Sequence, residues 1–190
     1  MKQTPEELIR AVIQAIGEDP DREGLRDTPK RVVKSWKEIF GGYKADIPAI
    51  LQVSFNEAYS GMVLADTIQF HSTCEHHMLP FFGVAHVAYI PSDNRVVGYS
   101  KLARLVKAYA QRLQIQERMT MQISEAMETH LKPLGSAVVL EAAHHCSRCR
   151  GVNSPNSVMQ TEVLKGKFAD NASTRSEFFS RIPRRVAAHI

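Results

Sequence analysis

Two runs of β-forming residues, Met62 to Phe70 and Val84 to Ile90, bracket a short segment in which a thiol, a carboxylate and two imidazoles stand consecutively, Cys74-Glu-His-His77. Near-alternating β-branched and aromatic residues read as strands, so the polar segment is a loop pinned between two strand ends. Helical spacing follows, from Ser100 through Leu102, Leu105, Val106, Tyr109 and Ala110, and again from about Arg118 to His130. Beyond Gly135 a second pair of strands is expected over Ala137 to Ala143 and around Val158 to Leu164, before a last helix from Ser173. Strands that come in adjacent pairs, not in strict alternation with helices, predict an α+β fold with an antiparallel four-stranded sheet covered by helices on one face. Such a sheet has open edges, and pairing between subunits is the expected way to close them.

Ahead of the sheet lie two helical patterns. Thr4 and Pro5 open the first, Glu6 and Glu7 occupy its first turn, and Leu8, Ile9, Val12, Ile13 and Ile16 recur at helical spacing before Gly17. Asp27 or Thr28, with Pro29, starts the second, which carries Val32, Val33, Trp36, Ile39 and Phe40 until Gly41-Gly42. The expected organisation is an N-terminal helical region over 1–60 and a sheet-bearing domain over 61–190.

Composition removes several classes. An apolar content of 44% and a charged content of 23% are ordinary for a globular chain. The longest apolar runs, such as Ala137 to Leu140, are far shorter than the roughly 20 residues that span a bilayer, and Met1 to Arg10 has no signal-peptide core. A cytoplasmic protein without a membrane partner is expected. The formal charge of +4 is modest, and the basic residues are scattered with few aromatics among them, which speaks against nucleic acid and for a small anionic ligand.

The three cysteines, Cys74, Cys146 and Cys149, are an odd set, and in a reducing compartment clustered cysteines more often bind metal or react than form bridges. Cys74 and His77 have the C-x2-H spacing that lets two side chains on a turn reach one ion. His144-His-Cys-Ser-Arg-Cys149 ends the third strand with more of the donors zinc prefers. Two arrangements fit. Cys74, His77, Cys146 and Cys149 would close a tetrahedral structural site, whereas three of them with a water would make an open hydrolytic one. Spacing alone favours the closed set by a small margin. The extra histidines His76 and His144 favour the open one, because hydrolysis needs proton donors nearby and a structural site does not. Inert thiols and solvated histidines are the plainer alternative.

Gly98-Tyr-Ser-Lys-Leu-Ala-Arg104 offers a different chemistry. Ser100 is placed to cap the helix, Lys101 sits in its first turn and Arg104 follows, so that free backbone N–H groups and two cations address one anion. An ordinary capped helix with solvated basic residues has the same pattern. Arg150, just after the second cluster, would add a cation. In Leu113-Gln-Ile-Gln-Glu-Arg118, Glu117 presents a carboxylate able to accept two parallel bonds from adjacent N–H donors, although acidic residues near helix N-termini are common for their own electrostatic reason.

In order along the chain, Glu18-Asp-Pro-Asp-Arg-Glu-Gly-Leu25 with Thr28-Pro-Lys-Arg-Val32, Cys74-Glu-His-His77 with Pro80-Phe81, Ala85-His-Val-Ala-Tyr-Ile-Pro91, Gly98 with Ser100-Lys101, Gln114-Ile-Gln-Glu-Arg118 and Arg150-Gly-Val152 closely resemble GTP cyclohydrolase I of the zinc-dependent type. The resemblance runs from about residue 5 to 181. It implies the tunnelling fold, with 61–190 as the catalytic domain, sheets joined between subunits into a barrel, and two rings stacked as a homodecamer. It implies that GTP and water give 7,8-dihydroneopterin triphosphate and formate, at the head of pterin and tetrahydrofolate synthesis. For the site it implies one Zn2+ per subunit on Cys74, His77 and Cys146, with His144 as proton donor and His76 close by. Ser100 would meet the ribose oxygen, Glu117 the guanine edge with Gln116 beside it, and Lys101, Arg104 and Arg150 the triphosphate. The family builds its pocket from neighbouring subunits, so an isolated subunit is expected to be inactive.

Two features depart from the family pattern. Cys149 stands where the family usually has no ligand, which turns the balance toward the open site. Asn156-Ser-Val-Met-Gln-Thr161 lacks the Ser/Thr-rich run often found there. Two other classes compete: a nitrile reductase resembling the queuosine-pathway enzyme of the same fold group, whose motif is missing here, and a structural-zinc interaction protein built on the closed site.

Overall fold

A computed structural model describes residues 3–52 and 54–183; residues 184–190 of the expected sheet-bearing domain lie outside the described residues. The chain divides into two compact units, Met1–Gly41 and Gly42–Ile190. In the first, α1 (Pro5–Ala15) and α2 (Thr28–Ile39) pack together. α1 begins as its sequence dictates. Glu7 N–H donates to Thr4 Oγ1 at 3.2 Å and Thr4 N–H donates to Glu7 Oε2 at 2.7 Å, a reciprocal cap whose loss costs about 1 kcal/mol. Gly17, at φ 92°, ends the helix in a conformation that favours glycine.

The second unit runs α3 (Ile47–Gln52), β1 (Ser54–Asn56), β2 (Val63–Cys74), β3 (Pro80–Ile90), β4 (Arg95–Val97), α4 (Tyr99–Ala110), β5 (Leu113–Gln114), α5 (Gln116–Leu131), β6 (Gly135–His144), α6 (His145–Arg148), β7 (Met159–Gly166), α7 (Lys167–Asp170) and α8 (Ala172–Arg181). β1 pairs with β4, and the main sheet has the order β5-β2-β3-β6-β7. Its four long strands are antiparallel, as paired strands predict, while β5 is a two-residue parallel addition with Leu113 opposite Thr73 and Gln114 opposite Cys74. Two residues carry no periodicity, so β5 has no signature in the sequence. α3 packs on α4 and α5, so residues 42–60 go with the sheet and the division falls at Gly41–Gly42, earlier than the expected 60/61.

One face of the sheet buries Phe70, Phe81, Ala85, Val87, Tyr89, Val138 and Leu140 against Leu102, Leu105 and Val106 of α4 and Met119, Ile123 and Met127 of α5. Each large side chain buried there contributes about 2 kcal/mol. The alternate residues Ala88, Ile90, Ala137 and Val139 pack with Phe168 and Phe178 of α7 and α8. The expectation of helices on one face is thereby corrected: the terminal helices cover the other face of β3 and β6. These two strands are buried on both sides, which is why they read as near-continuous apolar runs. β7 remains an edge, as does most of β2, since β5 covers only its last two residues.

β2 carries a bulge between Ala65 and Ile68, with Thr67 at φ 51°. His86, fully buried on β3, accepts the Thr67 N–H through Nδ1 at 3.2 Å, so the imidazole replaces the ladder acceptor that the bulge removes.

Candidate metal centre

β2 ends on Cys74, and the chain reverses at once. Cys74 N–H donates to Leu79 O at 2.8 Å and Met78 N–H donates to Cys74 O at 2.8 Å, with Met78 in the left-handed region at φ 52°. This reversal brings His77 back to Cys74. β6 ends opposite the start of β3, His144 pairing with Phe81, and the single turn of α6 then carries Cys146 to the same end of the sheet. The Sγ atoms of Cys74 and Cys146 and a ring nitrogen of His77 lie within 4.8 Å of one another. Tetrahedral ligands about 2.3 Å from an ion stand about 3.8 Å apart, so these three donors could hold a metal with little adjustment. Cys74 is buried, Cys146 half-buried and His77 exposed, and the cluster opens on the His77 side.

Cys149 stands outside the cluster. It is exposed, and its thiol donates to His145 O at 2.9 Å. Among the described residues three donors are assembled, not four. Burial pushes the Cys146 thiol above its ordinary value, and the adjacent Cys74 raises it further. A thiol so placed resists ionising, and a cation reverses that preference because thiolate is the ligand form. The donor set therefore fits a borderline-soft divalent ion.

His76 is exposed on the turn, its Nε2 4.0 Å from Glu75 Oε1. Glu75 is gripped from α5: Arg118 donates to both carboxylate oxygens, at 2.5 and 3.0 Å, which holds the carboxyl below its usual range. Glu75 N–H also donates to Gln114 O at 3.0 Å. β5 is thus what delivers the start of α5 to the turn.

His144 stacks flat on Phe81, with ring centroids 4.6 Å apart. The neighbouring strands approach closely, since a Cβ at Gly83 would lie 1.8 Å from Glu141 O. Burial lowers the proton affinity of His144, opposed by the charge of Glu117. Its Nε2 is 2.8 Å from Gln116 Oε1. Gln116, which the resemblance sets beside Glu117 at the guanine edge, is wholly buried, and its Nε2 donates toward Leu140 O at 3.0 Å, Met159 O at 3.0 Å and Thr161 Oγ1 at 3.1 Å. Consecutive helical residues point about 100° apart, so with Gln116 turned into the sheet, Glu117 faces solvent and Arg118 reaches Glu75. Arg150 is at the same end, its Nη1 3.5 Å from Cys146 O.

Ser100, Lys101 and Arg104 lie elsewhere. The residue preceding α4 is Gly98, extended at φ −62° and ψ 140°, and Lys101 N–H donates to its carbonyl at 2.8 Å. Ser100 is therefore inside the first turn and does not cap it, because the chain leaves β4 and turns one residue earlier than the sequence suggests. Val97 N–H bonds Tyr89 OH at 2.9 Å, toward the far end of β3. The eight steps from Phe81 to Tyr89 span about 26 Å. Within one chain, the start of α4 and the metal cluster thus occupy opposite ends of the sheet.

Neither the Arg118–Glu75 fork, the His144–Phe81 stack nor the Gln116–Thr161 contact is visible in the sequence. Each joins residues far apart along the chain, and no local spacing signals it.

A mixed α+β fold with three metal-binding donors, two further imidazoles and an exposed carboxylate at one sheet end defines a candidate metal-dependent enzyme. A family model described as GTP cyclohydrolase I matches residues 5–183, and the chain belongs to that family. A GTP cyclohydrolase 1 of Wolinella succinogenes is 52% identical over 178 residues, covering 93% of this chain and 95% of that protein. One of Rickettsia bellii is 50% identical over 181 residues, 94% of each chain, and one of Bacillus subtilis is 48% identical over 183 residues, 96% of each. The resemblance carried by the motif blocks is borne out over nearly the whole chain. Among the described residues no helix is long and apolar enough to cross a membrane.

Proposed function

We propose that this chain converts GTP to 7,8-dihydroneopterin triphosphate and formate by hydrolysis at guanine C8, the entry to pterin and tetrahydrofolate synthesis, with one Zn2+ per subunit. The observation that carries this reading is the Cys74–His77–Cys146 cluster in a chain of this family. Zinc suits two thiolates and one imidazole, and when bound it lowers the pKa of a coordinated water to about 7. His144 gives N7 of the purine its proton as C8 is attacked, with His76 as the second imidazole at the rim. A second hydrolysis frees C8 as formate, the released amine lets the ribose open and rearrange, and the pterin ring closes. Glu117 accepts from N1–H and the exocyclic amine of guanine. A base without those donors leaves a charged acceptor unpaired, at a cost of about 1–3 kcal/mol or more.

Ser100 at the ribose oxygen and Lys101 and Arg104 on the triphosphate come from a second copy, while Arg150 comes from the same chain as the metal. What supports this is the separation of the two groups along one sheet, together with the edges on β2 and β7. Copies joined through these edges make the barrel of the tunnelling fold and the homodecamer.

Incubating metal-loaded protein with GTP tests the reading. Formate and a pterin that fluoresces after oxidation are expected in equal amounts. No turnover at full metal loading would favour a structural metal site instead.

A further inference from the structure

Three acceptors surround one amide nitrogen behind the metal cluster. Leu140 O, Met159 O and Thr161 Oγ1 lie 3.0, 3.0 and 3.1 Å from Gln116 Nε2. Carbonyl oxygens only accept. Turning the amide over would set its oxygen against two carbonyl oxygens at those distances in a wholly buried place, so its orientation is fixed by chemistry. Oε1 then faces His144 and requires a hydrogen on the ring Nε2, 2.8 Å away. The hydroxyls behind agree. Thr120 Oγ1 donates to Gln116 O at 2.7 Å, so in its 2.7 Å contact with Thr161 the Thr161 hydroxyl donates, leaving its lone pairs toward Gln116 Nε2–H. The flat stack on Phe81, 4° from parallel, fixes the plane of the His144 ring.

We propose that Gln116 is a positioning residue that holds neutral His144 as the Nε2–H tautomer, making Nδ1 the atom through which His144 exchanges its proton with the substrate. The substrate's identity in this inference rests on the proposed function. As the proton moves, the Nδ1–H bond breaks, the N7 lone pair takes the proton, and the ring is left neutral with hydrogen on Nε2, the form Gln116 binds. A neutral amide orients the ring without adding the negative charge by which a carboxylate would hold the proton back. Because Gln116 is at 0% exposure it touches no substrate, and its loss falls on kcat and not on KM.

Solid-state nitrogen-15 NMR of the metal-loaded protein labelled on histidine nitrogens tests this, the His144 pair being assigned by its loss in His144→Gln. A protonated Nε2 and a bare Nδ1 are expected. The opposite tautomer overturns the inference whether or not GTP is turned over. Gln116→Met should mix the tautomers and lower kcat by about 10- to 100-fold, with KM for GTP within about twofold. Gln116→Glu, whose protonated carboxyl can donate to one carbonyl and accept from Nε2–H, should restore the Nε2–H signal. Unchanged tautomer and kcat in Gln116→Met overturn the inference, and if that variant does not fold, the spectrum of the unaltered protein decides. Failure of the proposed function has a separate sign, the absence of formate from GTP, which leaves the tautomer result standing.

Discussion

The two ends of the main sheet are built in different ways. At the Cys74 end, β2, β6, α5 and α6 each deliver chemistry-bearing residues, and those residues are held by other elements: Arg118 grips Glu75, Gln116 meets His144, and Phe81 stacks on His144. At the other end Ser100, Lys101 and Arg104 ride on a single helix that starts beyond the extended Gly98. One chain thus organises the groups that would react at one end of the sheet and sets the groups that would hold phosphates toward the other.

The largest expected effect tests the crowded end. Cys146→Ser should lose the metal and more than about 1,000-fold in turnover, whereas Cys149→Ser keeps both; metal content measured beside GTP turnover checks this, and the reverse pattern rejects the ligand set. Next comes complementation between ends. His144→Gln and Lys101→Ala should each lower turnover by about 100-fold or more as pure proteins. Co-assembled in equal amounts, they should recover about a quarter of native turnover if each site draws on two copies. No recovery would break the comparison, because each chain would then supply its whole site. A smaller effect is expected for Arg118→Ala, which frees Glu75 and should weaken metal binding about tenfold in a chelator competition. Unchanged affinity would show that the fork does not hold the turn.

The smallest effect lies midway along β3. Burial holds the His86 imidazole below its ordinary value, opposed by Asp66. The unfolded chain takes up a proton near pH 6.5 that folded His86 resists, so its contribution to stability is complete above about pH 6.5 and declines as pH falls through that value toward the lowered one. Denaturant midpoints between about pH 7.5 and 5.5 should fall less for His86→Gln than for the unaltered protein. Equal slopes would remove His86 from the acid response.

The four long strands, the two central helices and the donors Cys74 and His77 were legible because each announces itself locally, through a period of two, a period near 3.6, or a C-x2-H spacing, whereas local spacing offered Cys146 and Cys149 alike and the choice between them came from the family resemblance. Ser100 misled for the same local reason. Serine before a helical run looks like a cap, yet the chain's exit from β4 makes Gly98 the turning residue. Gln116 beside Glu117 looked like a pair of ligand contacts, and a rotation of about 100° per residue sends one inward and the other out. Which faces of β3 and β6 would be covered was hidden as well, since a strand apolar on both sides does not say what packs on each.

By itself the sequence determined the order of the main elements, the family and the four candidate donors Cys74, His77, Cys146 and Cys149, because covalent order and side-chain chemistry need no partner to be stated. Only the tertiary structure decided that Cys149 is left out, that Gln116 is buried behind His144, and that the start of α4 stands apart from the metal cluster. Each of these depends on strand register and helix rotation, which are fixed by packing among residues distant in the chain and leave no mark on any short stretch of it.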